Sequence, residues 1–178
     1  MTGGSSEAAG SEAGSAGSAA GAEAPVRVAV IGCGAIGSLY AAHLARVPGV
    51  EVWAVDPWAE HVDAIASGGL RVTGLADFTA EIRASTDGRD LPACDFGLVA
   101  TKALHTRAAV GGARAALAGA AVVSVQNGLG NEEVIAELVP RVIAGASSRP
   151  GRSWRPAWCG TTHPGTPGSG RSSRGPRR

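Results

Sequence analysis

Cysteine, aromatic residues and long apolar runs are all scarce in this 178-residue chain, and each scarcity removes a class of protein. The three cysteines, Cys33, Cys94 and Cys159, show no paired spacing, which excludes a disulfide scaffold and a clustered zinc site. His43, His61, His105 and His163 stand singly and read as surface or helix-face residues, so no metal is expected. No apolar run is long enough to span a bilayer, and the amino terminus lacks the basic start and apolar core of a signal peptide. A soluble, cytoplasmic protein with no membrane partner is expected. Residues 1–24 are almost wholly Gly, Ala, Ser and Glu, with no aromatic residue and no Val, Ile or Leu. Such a head cannot bury enough apolar surface to offset its ordering entropy and is expected to be disordered. Acids are missing from residue 149 onward, where seven arginines gather, so the net charge of +1 hides a net-acidic body and a basic tail. A basic tail of that kind suits nucleic acid or an anionic surface.

What is present is a glycine-rich turn in a telling place. Val26 to Ile31 is a β-branched, apolar run that predicts the first strand of a parallel sheet, and it leads directly into Gly32-x-Gly34-x-x-Gly37. Gly32 lets the chain turn, Gly34 lets backbone approach a phosphate, and Gly37 lets the following helix, predicted over 35–47, lie close to the strand. That helix points unpaired N–H groups and the positive end of its dipole at the anion. Gly32, Cys33, Gly34, Ala35, Ile36 and Gly37 are therefore candidate dinucleotide-binding residues. A second apolar run, 50–55, ends at Asp56, nineteen residues after Gly37, where an acid takes ribose hydroxyls. With Pro57 next, Asp56 also suits a cap on the following helix, and one loop can serve both purposes.

The pattern then alternates. A helix is predicted over 58–68 with Val62, Ile65 and Ala66 on its inner face, stopped by Gly68-Gly69. Residues 70–74 and 79–83 suit a hairpin peripheral to the main sheet. A buried strand is predicted over 95–101, an alanine-rich helix over 103–118 and a strand over 121–125. A helix over 131–138 follows, with Asn131 as N-cap and Glu132 and Glu133 in its first turn, and a last strand begins near Arg141. This alternation predicts an α/β, Rossmann-type doubly wound parallel sheet, whose ligands sit beyond the carboxyl ends of the strands. Lys102 stands there, able to face the nicotinamide half of a cofactor or a substrate carboxylate, or simply solvent. Asn127 stands there too, able to donate and accept toward a carboxamide, ribose or substrate oxygen, or to serve only a turn.

Together, residues 30–37, 69–74, 100–103 and 125–131 resemble the ketopantoate reductase family, a likeness that covers about 26–148. The resemblance implies NADPH-dependent reduction of 2-dehydropantoate, or a related 2-keto acid, to the 2-hydroxy acid on the route to pantothenate and coenzyme A. Lys102 and Asn127 fall on positions that contact cofactor or substrate in the family. The family default is NADP(H), held by an arginine after the second strand, whereas Asp56-Pro57 here would repel a 2′-phosphate and favour NAD(H). The family's second, all-helical domain, with its general-acid lysine and substrate-binding glutamate, has no counterpart, so no catalytic residue is assigned in this chain. Residues 149–178 are Arg-, Gly- and Pro-rich without helical or strand period. Shifted by two bases under permissive codon choices, 154–170 can read as a family-like continuation, so the tail is expected to be disordered and out of frame.

The expected organisation is a head (1–24), a dinucleotide-binding domain (25–148) and that tail (149–178). Cofactor binding with negligible turnover follows, with a nicotinamide dinucleotide and a small keto acid as partners. An out-of-frame tail weakens the nucleic-acid reading, and loss of the second domain disfavours a homodimer. The alternative is a non-enzymatic nucleotide-binding module whose basic tail contacts nucleic acid, and a dehydrogenase of another substrate is a third reading.

Overall fold

The computed structural model describes residues 24–145 and, for the backbone alone, Gly151–Arg152 and Trp158–Thr161. Residues 1–23, and those of 146–178 outside these two strands, lie outside the described residues, and with them most of the expected head and tail.

Strand β1 (Val26–Ile31) lies at the centre of a six-stranded parallel sheet with β2 (Val50–Val55), β5 (Arg83–Ser85), β6 (Phe96–Val99), β7 (Ala121–Ser124) and β8 (Val142–Ala144). The spatial order is β5-β2-β1-β6-β7-β8. Chain direction across the sheet reverses at β1, with β2 paired on one side and β6 on the other. A crevice opens beyond the strand ends at such a switch point. Ala29, Val30 and Ile31 are fully buried because β1 is covered on both faces, which is why residues 28–31 are apolar without a break after Arg27.

Helices lie on opposite faces. Leu39, Ala41 and Ala42 of α1 (Ala35–Leu44) and Ile65 of α2 (Ala59–Gly68) join one core with Val30, Val52 and Leu98. Val110 of α3 (Thr106–Gly112), Leu117 of α4 (Arg114–Leu117) and Ile135 of α5 (Asn131–Ala136) join the other with Ala29, Ile31 and Val122. A smaller sheet contains the expected hairpin of β3 (Leu70–Thr73) and β4 (Phe78–Ala80), followed by β10 (Trp158–Thr161) and β9 (Gly151–Arg152), in the order β4-β3-β10-β9. Among the described residues no helix is long and apolar enough to cross a membrane.

Several sequence expectations are corrected. Arg83 does not end the hairpin but begins β5, a main-sheet edge strand parallel to β2. Its guanidinium pairs with Glu51 at 2.9 Å and lies over the Trp53 ring at 5.2 Å, contacts that draw the segment away from β4. The predicted helix over 103–118 is a 3-10 turn (Ala103–His105) followed by α3 and α4, which break at Ala113. Gly88 packs against this break so closely that a Cβ there would lie 2.8 Å from the Ala113 nitrogen. On α2 the inner face is His61, Val62 and Ile65, while Ala66 is exposed. Asn131 does not cap α5; Gly130, in the left-handed region at φ 86°, holds that position. Finally, β9 (Gly151–Arg152) and β10 (Trp158–Thr161) fall within the stretch read as structureless, β10 running parallel to β3. Edge pairing uses backbone groups alone, so composition gave no sign of it.

Candidate functional site

The glycine loop has the geometry its spacing predicts, and each glycine acts differently. Gly32, at φ +92°, turns the chain against the loop after β6; a Cβ there would sit 2.8 Å from the Thr101 backbone nitrogen. Gly37 seats α1 on the loop, for its Cβ would fall 1.8 Å from the Gly32 carbonyl oxygen. Gly34 is the opposite case, exposed and with no atom within 4 Å of an added Cβ. That open space at the start of α1 is where backbone can approach a phosphate, and no side chain caps the helix there. The loop therefore fits a dinucleotide pyrophosphate.

Asp56 joins the loop to the end of β2. The Cys33 N–H donates to Asp56 Oδ2 at 2.8 Å and the Trp58 N–H donates to Oδ1 at 3.0 Å. One carboxylate thus steadies the start of α2 and sits beside the glycine loop. Each oxygen keeps a lone pair for a further donor such as a ribose hydroxyl. Beneath the loop, the Ser38 hydroxyl donates to the Cys33 carbonyl at 2.7 Å and lies 3.5 Å from His61 Nε2. His61 is buried, and desolvation lowers its pKa below the ordinary 6.5, partly offset by the Asp56 charge.

Beyond β6 and β7 a buried network binds two more loops together. Gln126 Nε2 donates to the Thr101 carbonyl (2.9 Å), the Thr101 hydroxyl (2.9 Å) and the Thr106 hydroxyl (2.7 Å). Thr106 in turn reaches Asn131 Oδ1 at 3.5 Å, and Asn131 Nδ2 donates to the carbonyls of Asn127 (3.2 Å) and Gly128 (3.3 Å). Sequence reasoning singled out Lys102 and the loop of Gln126 and Asn127 but assigned no role to Gln126 or Thr106 and missed this use of Asn131. The available signal was a polar residue, Gln126, directly after a buried strand. Lys102 and Asn127 themselves are exposed on the rim above the network, and Lys102, the chain's single lysine, makes no ion pair among the described residues.

Asp56, the glycine loop, Thr101-Lys102 and Gln126-Asn127 therefore form one continuous rim at the carboxyl ends of β2, β1, β6 and β7. A separate apolar recess of about 350 Å³, lined by Val26, Phe96, Leu98, Val123 and Ile143 among others, lies toward the amino ends of the same strands. It offers no polar group to orient a ligand, so the rim is the better candidate. Among the described residues, no group of three or more His, Cys, Asp or Glu could hold a metal.

Comparison with known proteins agrees with this fold. The profile of the family described as Ketopantoate reductase PanE/ApbA matches residues 28–156, most of the chain. The chain belongs to the ketopantoate reductase family. A 2-dehydropantoate 2-reductase from Pyrococcus abyssi is 36% identical over 126 residues, which is 69% of this chain and 40% of that protein. The corresponding enzyme of Halobacterium salinarum is 35% identical over 117 residues, 65% of this chain and 38% of its own length. The chain thus spans about 40% of the length of the curated relatives it matches. Among solved structures, a PanE/ApbA family ketopantoate reductase from Ralstonia eutropha JMP134 superposes with a TM-score of 0.72 at 31% identity, covering 79% of this chain and 47% of that one. A D-mandelate dehydrogenase solved with NADH and anilino(oxo)acetate shares the fold, with a TM-score of 0.71 at 23% identity over 78% of this chain and 46% of that one.

Proposed function

We propose that residues 25–148 are the dinucleotide-binding part of a cytoplasmic NAD(P)H-dependent reductase acting on 2-dehydropantoate or a related 2-keto acid. The observation that carries this reading is the continuous rim at the switch point, where an open glycine turn, a carboxylate held against that turn and two polar loops meet. Gly32, Cys33, Gly34, Ala35, Ile36 and Gly37 would form the pyrophosphate loop, the anion meeting the start of α1 and its dipole, since the N–H groups of Gly32 and Cys33 already donate to the Val55 carbonyl and to Asp56. Asp56 would take the adenosine ribose hydroxyls, and Lys102 and Asn127 would orient the nicotinamide end and the carboxylate and keto oxygen of the substrate. When bound, the dinucleotide supplies the hydride, and this chain's residues bind and orient.

The same rim favours NAD(H) over NADP(H). Residues 56–63 contain Asp56, Glu60 and Asp63 and no Lys or Arg to receive a 2′-phosphate. The family resemblance puts the general acid in a second domain, so the residues of this rim are assigned binding and orientation, not proton transfer to the keto oxygen.

Titration of the purified chain with NADH and NADPH, followed by cofactor fluorescence, tests the reading. Tighter binding of NADH is expected. Equal or tighter binding of NADPH refutes the preference, and absence of both refutes the site.

A further inference from the structure

We propose that Trp58 is the platform on which the adenine ring of the dinucleotide stacks, an inference that rests on the dinucleotide reading of the rim. Trp58 lies two residues beyond Asp56, at the N-cap of α2, with 42% of its surface exposed. A half-exposed indole is ordinarily loose, but this one is held at three points. Its backbone N–H donates to Asp56 Oδ1 at 3.0 Å, and its Nε1–H donates to Glu60 Oε2 at 2.8 Å. Its ring stacks on the His61 imidazole at 5.4 Å between centroids and 19° between planes. His61, only 1% exposed, is seated against Ser38 of α1 beneath the glycine loop.

One indole face is therefore covered by a buried, anchored ring, while over two fifths of the residue's surface stays open to solvent. The same Asp56 carboxylate that holds the Trp58 backbone also holds Cys33 of the loop, which fixes the indole relative to the ribose and pyrophosphate positions. Adenine is attached to the ribose that Asp56 would receive, so it emerges on the α2 side of the rim. A fixed, flat aromatic surface beside it stacks a base with little ordering cost. Glu60, which locks the indole nitrogen, adds a carboxylate where a 2′-phosphate would need a cation.

Titrations of the full chain with ADP-ribose, NADH and reduced nicotinamide mononucleotide separate this role from a structural one. ADP-ribose should quench indole emission in the unaltered chain. In Trp58→Phe, which retains an aromatic face, most of that quenching should vanish while affinity stays within about three-fold. Trp58→Ala should bind ADP-ribose and NADH roughly ten-fold more weakly, in line with loss of one base stack. Binding of the mononucleotide, which has no adenine, should be unchanged. Equal ADP-ribose affinity in Trp58→Ala and the unaltered chain overturns the proposal, as does an equal loss for the mononucleotide. Failure of the unaltered chain to bind NADH and ADP-ribose would instead refute the dinucleotide site and this inference with it.

Discussion

Gln126 is the residue whose removal should be felt most widely across the rim. Its amide nitrogen has two hydrogens shared among three oxygens, the Thr101 carbonyl and hydroxyl and the Thr106 hydroxyl. Gln126→Leu keeps the volume and deletes both donors. Two net hydrogen bonds are worth about 2 kcal/mol, and stranding the Thr101 carbonyl adds a desolvation cost of about 1 kcal/mol. The Thr106 hydroxyl adds little to that cost, because Asn131 Oδ1 is already within 3.5 Å. A loss of about 3 kcal/mol corresponds to a fall in Tm of roughly 10 °C for a domain of this size. Thr101 also contacts Gly32, so displacing it should weaken NADH binding by about five-fold or more. Gln126→Glu sharpens the test, because at neutral pH it aims a carboxylate at the Thr101 carbonyl. Burial and that repulsion raise the folded-state pKa of the new carboxyl above its unfolded value. The folded state then binds the extra proton, and the variant regains stability as pH falls through the raised pKa toward about 4.3. Denaturant melts of both variants at pH 7.5 and 5.5, with NADH titrations, measure all of this. A Gln126→Leu protein within about 0.5 kcal/mol of the parent, with unchanged affinity, would refute the claim that this amide binds the loops together.

Two glycines should separate folding from binding. Gly34→Ala places its methyl in open space at φ −71° and should keep the parental Tm while weakening NADH at least ten-fold. Gly37→Ala drives a methyl to 1.8 Å from a carbonyl oxygen and should cost about 3 kcal/mol or more in a denaturant melt; reversal of the two outcomes would sink the assignment of the loop. His61 should give an acid limb to stability. Desolvation lowers its folded-state pKa, so below about 6.5 the unfolded state binds a proton that the folded state refuses, and stability declines from there toward the folded value. A His61→Gln chain should show a flatter melt profile between pH 7 and 5, and an identical slope would rule the effect out.

The part of this fold that was legible in the sequence is the part whose causes are local. Strand β1, the glycine turn, α1 and β2 follow one another within thirty residues, and their apolar and glycine patterns describe their own surroundings. Asp56 was legible as a support for α2, and its carboxylate gives one oxygen to the Trp58 N–H and the other to the Cys33 N–H. Strand β5 was not legible, since three residues carry no period and its place depends on Glu51 and Trp53 of another strand. Gln126 was equally hidden. Its partners stand 20 and 25 positions earlier, so its role comes from the side-by-side placement of β6 and β7 and not from its neighbours in the chain.

The charges along the rim explain why a loop that favours anions can tolerate Asp56 at one side. The carboxylate consumes the Cys33 N–H, one of the donors the loop could have offered to phosphate, and places a negative charge at the β2 end. Positive potential is left further along, at the start of α1, where Gly34 brings no capping side chain, and at the exposed Lys102 beyond β6. Under the proposed reading this gradient has a direction that matches the ligand. The adenosine ribose presents hydroxyl donors to an acceptor at one end, the pyrophosphate meets helix N–H groups at the centre, and a keto-acid carboxylate meets a lysine at the other. Reversing the ligand would set phosphate or carboxylate against Asp56 and Glu60 and leave ribose hydroxyls facing a cation. At an effective dielectric of about 20, a single unit-charge contact at 4 Å is worth about 4 kcal/mol before desolvation. Even a fraction of that is enough to fix orientation, so the acid that reduces the loop's capacity for anions is also what gives the site a polarity.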